Sequence, residues 1–146
     1  MSVSISPQIQ TLSSYLSKGK VTIFTGAGMS TASGLPDFRS AKDGMWGKID
    51  PASVASTNAL RNNYKLFRDF YKMRINALDG IKPNNGHLIL SNLEKQGLIT
   101  GLITQNVDGL HEAAGSVNIA TLHGRLRQIF CQNCKEPATI EDFMKR

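Results

Sequence analysis

The chain has 146 residues, 40% of them hydrophobic, enough for a single globular domain with a real core and no more. Its formal net charge is +6, but the 17 Lys and Arg are scattered from Lys18 to Arg146 with no run of four, which reads as a solvated basic surface and indicates no specific nucleic-acid partner. The start alternates Ser with Ile, Val and Leu and lacks a positive n-region, and no apolar stretch is long enough to span a bilayer, so a soluble cytoplasmic protein without a membrane partner is expected.

Ile9, Leu12, Tyr15 and Leu16 recur at helical spacing after Pro7, predicting a short amphipathic helix over residues 6–17 that Gly19 ends. Residues 20–25 (KVTIFT) are β-branched and aromatic between glycines, the pattern of a buried parallel strand, and run directly into Gly26-Ala27-Gly28. From residue 51 to 77 the series Leu60, Tyr64, Phe67, Phe70, Tyr71, Ile75 is helical, broken only at the Asp50-Pro51 turn, and reads as a helical insertion beside the sheet. A further helix is predicted over 87–96, with Asn84 or Asn85 as N-cap. Strands follow at 98–104 and 118–123, separated by a short helix around 108–114, and a strand at 125–130 leads into Cys131-Gln132-Asn133-Cys134. Strands alternating with helices predict βαβ crossovers and a parallel sheet.

Three strings carry chemistry. Residues 26–40 read GAGMSTASGLPDFRS, directly after a strand, where a glycine turn lets backbone N–H groups approach a pyrophosphate at a helix N-terminus. The GAG is not GxGxxG, since Gly34 lies too far on, and paired glycines in a tight strand-to-helix turn also occur for conformational reasons alone. Residues 104–115 read TQNVDGLHEAAG, and Leu122-His123-Gly124 closes the third strand. By spacing alone, Asn106 and Asp108 suit capping of the following helix as well as ligand binding.

Together the strings resemble the sirtuin (Sir2) patterns GAGxSxxSGIPDFRS, TQNxDxLHxxAG and HG, in the same order, over residues 20–134. The resemblance implies an α/β fold: the N-terminal half of a Rossmann-like parallel sheet, with a helical insertion and the start of a zinc ribbon. Residues 20–50 and 98–124 would form the NAD-binding part, 51–97 the insertion and 125–146 an incomplete zinc module. It also implies an NAD-dependent protein lysine deacylase, which moves the acyl group of a lysine side chain of a protein substrate to ADP-ribose and releases nicotinamide, consuming NAD.

Carried over residue by residue, Gly26, Ala27, Gly28 and Ser30 would line the dinucleotide loop. Asn106, Val107 and Asp108 would hold nicotinamide, and Gln105 the ribose hydroxyls. Asp37, Phe38 and Arg39 would cover the cofactor. His123 would be the general base, since an imidazole accepts a hydroxyl proton at neutral pH. His87 and His111 match family positions without a catalytic role. Tyr71 and Arg74 form a YxxR resembling the pair that binds an acyl carboxylate in branches preferring acidic acyl groups, a bidentate task that suits Arg, and Ala55 would widen that pocket. Desuccinylation therefore stands beside deacetylation, and an ordinary helix with Tyr71 in the core and Arg74 at the surface remains the plain alternative.

The only cysteines, Cys131 and Cys134, fall where the family's zinc ribbon begins, but structural Zn2+ takes four ligands and one CxxC supplies two. The family's second CxxC and later strands have no counterpart here. An exposed sheet edge, and a second chain completing the fold, are expected in consequence. Two other functions compete with the enzyme: a catalytically silent NAD-binding module and a non-functional remnant.

Overall fold

The computed structural model describes residues 6–37 and 49–145. Helix α1 (Pro7–Ser17) starts at Ser6, whose hydroxyl accepts from the Ile9 N–H, with Pro7 in the first turn where no backbone donor is needed. None of its residues is buried, and Ile9, Leu12 and Tyr15 all stand exposed.

Strand β1 (Val21–Thr25) pairs in parallel with β2 (Ile99–Thr104), and β2 with β3 (Ile119–Thr121), giving a sheet of order β1-β2-β3 with β2 central. Ile99 and Leu102 of β2 are buried. The expectation that β1 is a buried strand is corrected: it alternates, and Phe24 is 59% exposed while only Thr25 is buried. An edge strand covered on one face follows the two-residue period of the pleat.

After β1 comes a seven-residue 3₁₀ helix, Ala27–Ser33, ended by Gly34 at φ 93°. The helical insertion is three pieces and not one run: α2 (Pro51–Val54), α3 (Thr57–Asn62) and α4 (Tyr64–Asn76). Ala55 and Asn63 leave the helical region, and the Ser56 hydroxyl accepts from the Ala59 N–H at 3.0 Å. That capping bond starts a new helix where periodicity alone continues the old one.

Helix α5 (Asn85–Lys95) opens with a reciprocal cap. Asn84 Oδ1 accepts from the N–H groups of Gly86 (2.9 Å) and His87 (3.4 Å), while the Asn84 N–H donates to His87 Nδ1 (3.3 Å). Asn84 Nδ2 donates to Met29 O (2.8 Å) and Ser33 Oγ (3.0 Å), fastening α5 to the segment after β1. At the far end of α5, Glu94 accepts from the N–H groups of Val117 and Asn118, which sets the entry of β3.

Between β2 and β3 lies α6 (Leu110–Ala113). The expected strand over 125–130 is cut to β4 (Ile129–Phe130), because Arg125 to Gln128 turn (Gln128 N–H to Arg125 O, 3.1 Å). Antiparallel β5 (Pro137–Ala138) completes a hairpin with the cysteines at its tip, and α7 (Ile140–Lys145) returns. Ile140 and Phe143 pack on the core of Ile75, Leu78 and Leu126, and Lys72 Nζ donates to Met144 O at 2.6 Å. No helix among the described residues is long and apolar enough to cross a membrane.

Candidate functional site

A cavity of about 480 Å³ lies against the carboxyl ends of all three parallel strands. Ala27 and Gly28 follow β1, Gln105, Asn106 and Val107 follow β2, and His123 follows β3; Asp37, Tyr71, Arg74, Arg125 and Leu126 complete the lining. A smaller recess of about 60 Å³ shares Ala27, Arg74, Asn106, Val107 and Leu126 with it and adds Ser30, Leu35, Pro36 and Asp108. Ligands of open parallel sheets bind where strands end in this way.

The glycines of the turn are not explained by backbone strain. Neither Gly26 nor Gly28 has a positive φ, and a Cβ built on either meets nothing within 4 Å. Among the described residues nothing in the packing demands glycine there, and the open space above the turn is where a ligand's approach would demand it. The turn opens into a 3₁₀ helix and not an α-helix, so any phosphate contact rests on the turn's own N–H groups.

Asn106 is buried, and its Nδ2 donates to Gly26 O (3.0 Å) and Ser30 Oγ (3.2 Å). That leaves the Asn106 Oδ1 as the atom able to accept from a ligand amide. Ser30 Oγ donates to Asp108 Oδ2 (2.7 Å), and Asp108 Oδ1 accepts from the Leu110 N–H (3.0 Å). Asp108 therefore does cap the start of α6, and it also braces the loop after β1; capping and site-building coexist in one carboxylate.

His123 lies in the turn two residues beyond the end of β3 and is exposed. Its Nδ1 bonds the Gln105 carbonyl oxygen at 3.1 Å, and a carbonyl only accepts, so the proton is on Nδ1 and the Nε2 lone pair is free to take another. Gly124 follows at φ 72°.

Tyr71 stacks on Phe67 (4.5 Å) and edge-on to Phe70 (5.5 Å) and packs against the Ile75 core, so its ring is partly structural while still facing the cavity. Arg74 lines both spaces, and its guanidinium sits 5.8 Å from the Phe70 ring. Burial lowers its pKa, opposed by Tyr71 and Asp108, and the group remains a cation. Phe38 and Arg39 lie outside the described residues; Asp37 reaches the cavity lining.

Cys131 and Cys134 are both exposed at the hairpin tip and line neither space. The turn is shaped by the Cys131 N–H to Glu136 O (2.8 Å) and the Lys135 N–H to Cys131 O (3.0 Å). Among the described residues no group of three or more His, Cys, Asp or Glu gathers, so these residues do not fit a closed zinc site.

Motif reading missed Arg125 and Leu126 as cavity residues. Arg125 Nε donates to Glu112 Oε1 at 2.7 Å, an i+13 link that only the fold brings together. It also set aside two histidines that the fold joins: His87 and His111 are fully buried with ring centroids 4.8 Å apart. His111 Nε2 meets Thr25 Oγ1 (3.0 Å), Thr25 Oγ1 donates to Thr104 Oγ1 (2.9 Å), and Thr104 Oγ1 accepts from the Asn106 N–H (3.0 Å). Burial holds both imidazoles below the ordinary histidine value; for His111 the neighbouring His87 adds to this, and Asp108 and Glu112 oppose it.

An open parallel α/β sheet with its cavity at the strand ends is the Rossmann-like class of fold. More narrowly, the chain belongs to the Sir2 family, whose model matches residues 26–146. It is 48% identical over 123 residues to an NAD-dependent protein deacetylase of Oceanobacillus iheyensis, covering 84% of this chain and 52% of that protein. It is 43% identical over 128 residues to an NAD-dependent protein deacylase of Thermococcus sibiricus, covering 84% of this chain and 50% of that one. Among solved structures, a Sir2 variant with a deacetylated p53 peptide and 3'-O-acetyl ADP ribose superposes with a TM-score of 0.85 at 36% identity, over 94% of this chain and 55% of the other. A Sir2 homologue in complex with ADP ribose gives 0.82 at 35%, over 94% and 54%. The chain thus spans about half the length of the relatives it matches.

Proposed function

We propose that this chain carries the NAD-binding, nicotinamide-releasing part of an NAD-dependent protein lysine deacylase. The observation that carries the reading is that Asn106, at the strand ends, lines both the cavity that holds His123, whose proton is fixed on Nδ1, and the adjoining recess that holds Ser30 and Asp108, to which its amide is tied through the Ser30 hydroxyl. The fit to NAD rests on two features: glycines at 26 and 28 that packing among the described residues does not require, and a buried Asn106 whose amide nitrogen is engaged by Gly26 O and Ser30 Oγ while its acceptor oxygen meets no donor among the described residues.

NAD, when bound, supplies a glycosidic bond whose cleavage frees nicotinamide and a ribose that takes the acyl group. The N–H groups at Gly26, Ala27 and Gly28 would hold its phosphates. Asn106, Val107 and Asp108 would hold the carboxamide, with the Ser30 hydroxyl keeping Asp108 in place. Gln105, whose carbonyl already orients His123, would meet ribose hydroxyls with its side chain, and His123 Nε2 would take the proton from one of them. Asp37, on the cavity lining, would face the cofactor, and by the family resemblance Phe38 and Arg39, outside the described residues, would cover it. The acylated lysine of a protein would enter beside Tyr71 and Arg74, and Arg74, a desolvated cation on the cavity wall, favours an acyl group ending in a carboxylate.

Zinc enters no step of this chemistry. Incubating the chain with NAD and acetyl-lysine or succinyl-lysine peptide and measuring nicotinamide, against a His123→Ala control, tests the reading. Release above the control is expected. Measurable NAD binding without such release would leave a silent NAD-binding module and overturn the enzymatic reading for this chain.

A further inference from the structure

Among the described residues, four buried side-chain atoms have no hydrogen-bond partner: His87 Nε2, Ser91 Oγ, His111 Nδ1 and Ser116 Oγ. They belong to one place. His87 and Ser91 are one turn apart on α5, the His87 and His111 rings are 4.8 Å apart, and the Ser116 N–H donates to His111 O at 3.1 Å. Ser91 Oγ lies 3.3 Å from the position a Cβ on Gly115 would occupy, which puts it against the same α6 end.

The tautomers follow from the neighbours. The Asn84 N–H donates to His87 Nδ1, so the His87 proton is on Nε2, one of the unpartnered atoms. Thr25 spends its hydroxyl proton on Thr104 and must accept from His111 Nε2–H, so His111 Nδ1 is a bare lone pair. One donor, one acceptor and two hydroxyls that can act either way are the complement of one water molecule, which donates twice and accepts twice.

We propose that these four atoms enclose a single ordered water, accepting from His87, donating to His111 and sharing its other two hydrogen bonds with Ser91 and Ser116, and that this makes His87 and His111 positioning residues for the cavity. The water closes a continuous path. On one side, His87 reaches the Asn84 N–H, and the Asn84 side chain holds Met29 O and Ser33 Oγ of the segment after β1. On the other, His111 reaches the Asn106 N–H through Thr25 and Thr104. The charged groups around the pair are Asp108, Glu112 and Lys95. His87 stays neutral because a proton on its Nδ1 would face the Asn84 N–H, a second donor, and burial beside His87 disfavours the charged form of His111.

The water itself does not depend on the proposed reaction; its effect on the cavity rests on the NAD reading. The test is long-range proton–nitrogen NMR of the 146-residue chain labelled in histidine, with NAD affinity measured on the same samples and on Ser91→Ala and Ser116→Ala. Two rings in the neutral Nε2–H form, with a water cross-peak at the His87 Nε2 proton, are expected. Each serine variant is expected to weaken NAD binding about threefold to tenfold, the worth of one hydrogen bond. A charged or Nδ1–H form for either ring near neutral pH, or no water contact, overturns the hydrated pair even where a variant fails to fold. Unchanged NAD affinity in both folded variants overturns the positioning role while leaving the water. Absence of NAD binding by the unaltered chain refutes the proposed function, with the imidazole spectra still deciding the water.

Discussion

Replacing Asn84 separates two tasks performed by one side chain. Its Oδ1 caps α5 by accepting from Gly86 and His87, and its Nδ2 donates to Met29 O and Ser33 Oγ. Asn84→Ala removes both: about 1 kcal/mol for the cap and about 1 kcal/mol for each of the two amide hydrogen bonds, together about 3 kcal/mol. For a chain of this size that is a fall in melting temperature of roughly 6 to 12 °C. Asn84→Asp keeps an acceptor for the cap but has no N–H, so it is expected to lose only the tie to the loop, about 2 kcal/mol, while weakening NAD binding as much as the Ala variant does. Urea denaturation of the three proteins, with NAD titrations beside it, measures both. Equal stability of the Ala and Asp variants would refute the claim that the cap contributes separately. An Asp variant with wild-type NAD affinity would refute the claim that the tie shapes the cavity.

Gly28→Ala has space for its methyl group and no positive φ to oppose it, so the melting temperature is expected to hold or rise slightly while NAD affinity falls at least about tenfold, as calorimetry would show; a lost fold would show that the glycine is structural. His87 and His111 bind fewer protons folded than unfolded once the pH drops below the ordinary histidine range, so stability rises with pH through that range and is lost on acidification. Urea midpoints at pH about 7.5 and about 5.5 check this, a lower midpoint at the acid value being expected. Glu94→Gln exchanges the charged acceptor of the Val117 and Asn118 N–H groups for a neutral one, at about 0.5 to 1 kcal/mol. Faster amide exchange at those two residues is the expected signature, and unchanged exchange would remove Glu94 from the positioning of β3.

Local pattern carried much of the architecture. The runs 20–25 and 98–104 supply the parallel strands Val21–Thr25 and Ile99–Thr104 because β-branched runs bounded by glycines have few other uses, and Asn84 caps α5 because its amide oxygen satisfies N-terminal helix donors. Local pattern also misled where tertiary context decides. KVTIFT looks buried on both faces, yet Thr22 and Phe24 point to an uncovered side. The apolar period from 51 to 77 runs straight through Ser56, whose hydroxyl prefers to start a helix.

At the site, the three strings could be read because each lies whole at a strand end. Arg125 and Leu126 could not, since they reach the cavity through a turn that periodicity described as a strand. The partnership of His87 with His111 was equally hidden: each alone resembles an ordinary helical histidine, and only the packing of α5 on α6 brings the rings together.

That pairing restricts how the sequence can drift. Replacing either imidazole alone leaves the other's inward-facing nitrogen, the His111 Nδ1 lone pair or the His87 Nε2–H, without its counterpart around the shared water, whereas changing both to apolar side chains of similar volume removes that donor and acceptor together, the Asn84 N–H and the Thr25 hydroxyl each losing a partner with its own histidine in either case. The two positions should therefore show strong non-additivity in a double-mutant cycle, and natural variation at one should accompany variation at the other, so that codons 87 and 111 evolve as one unit.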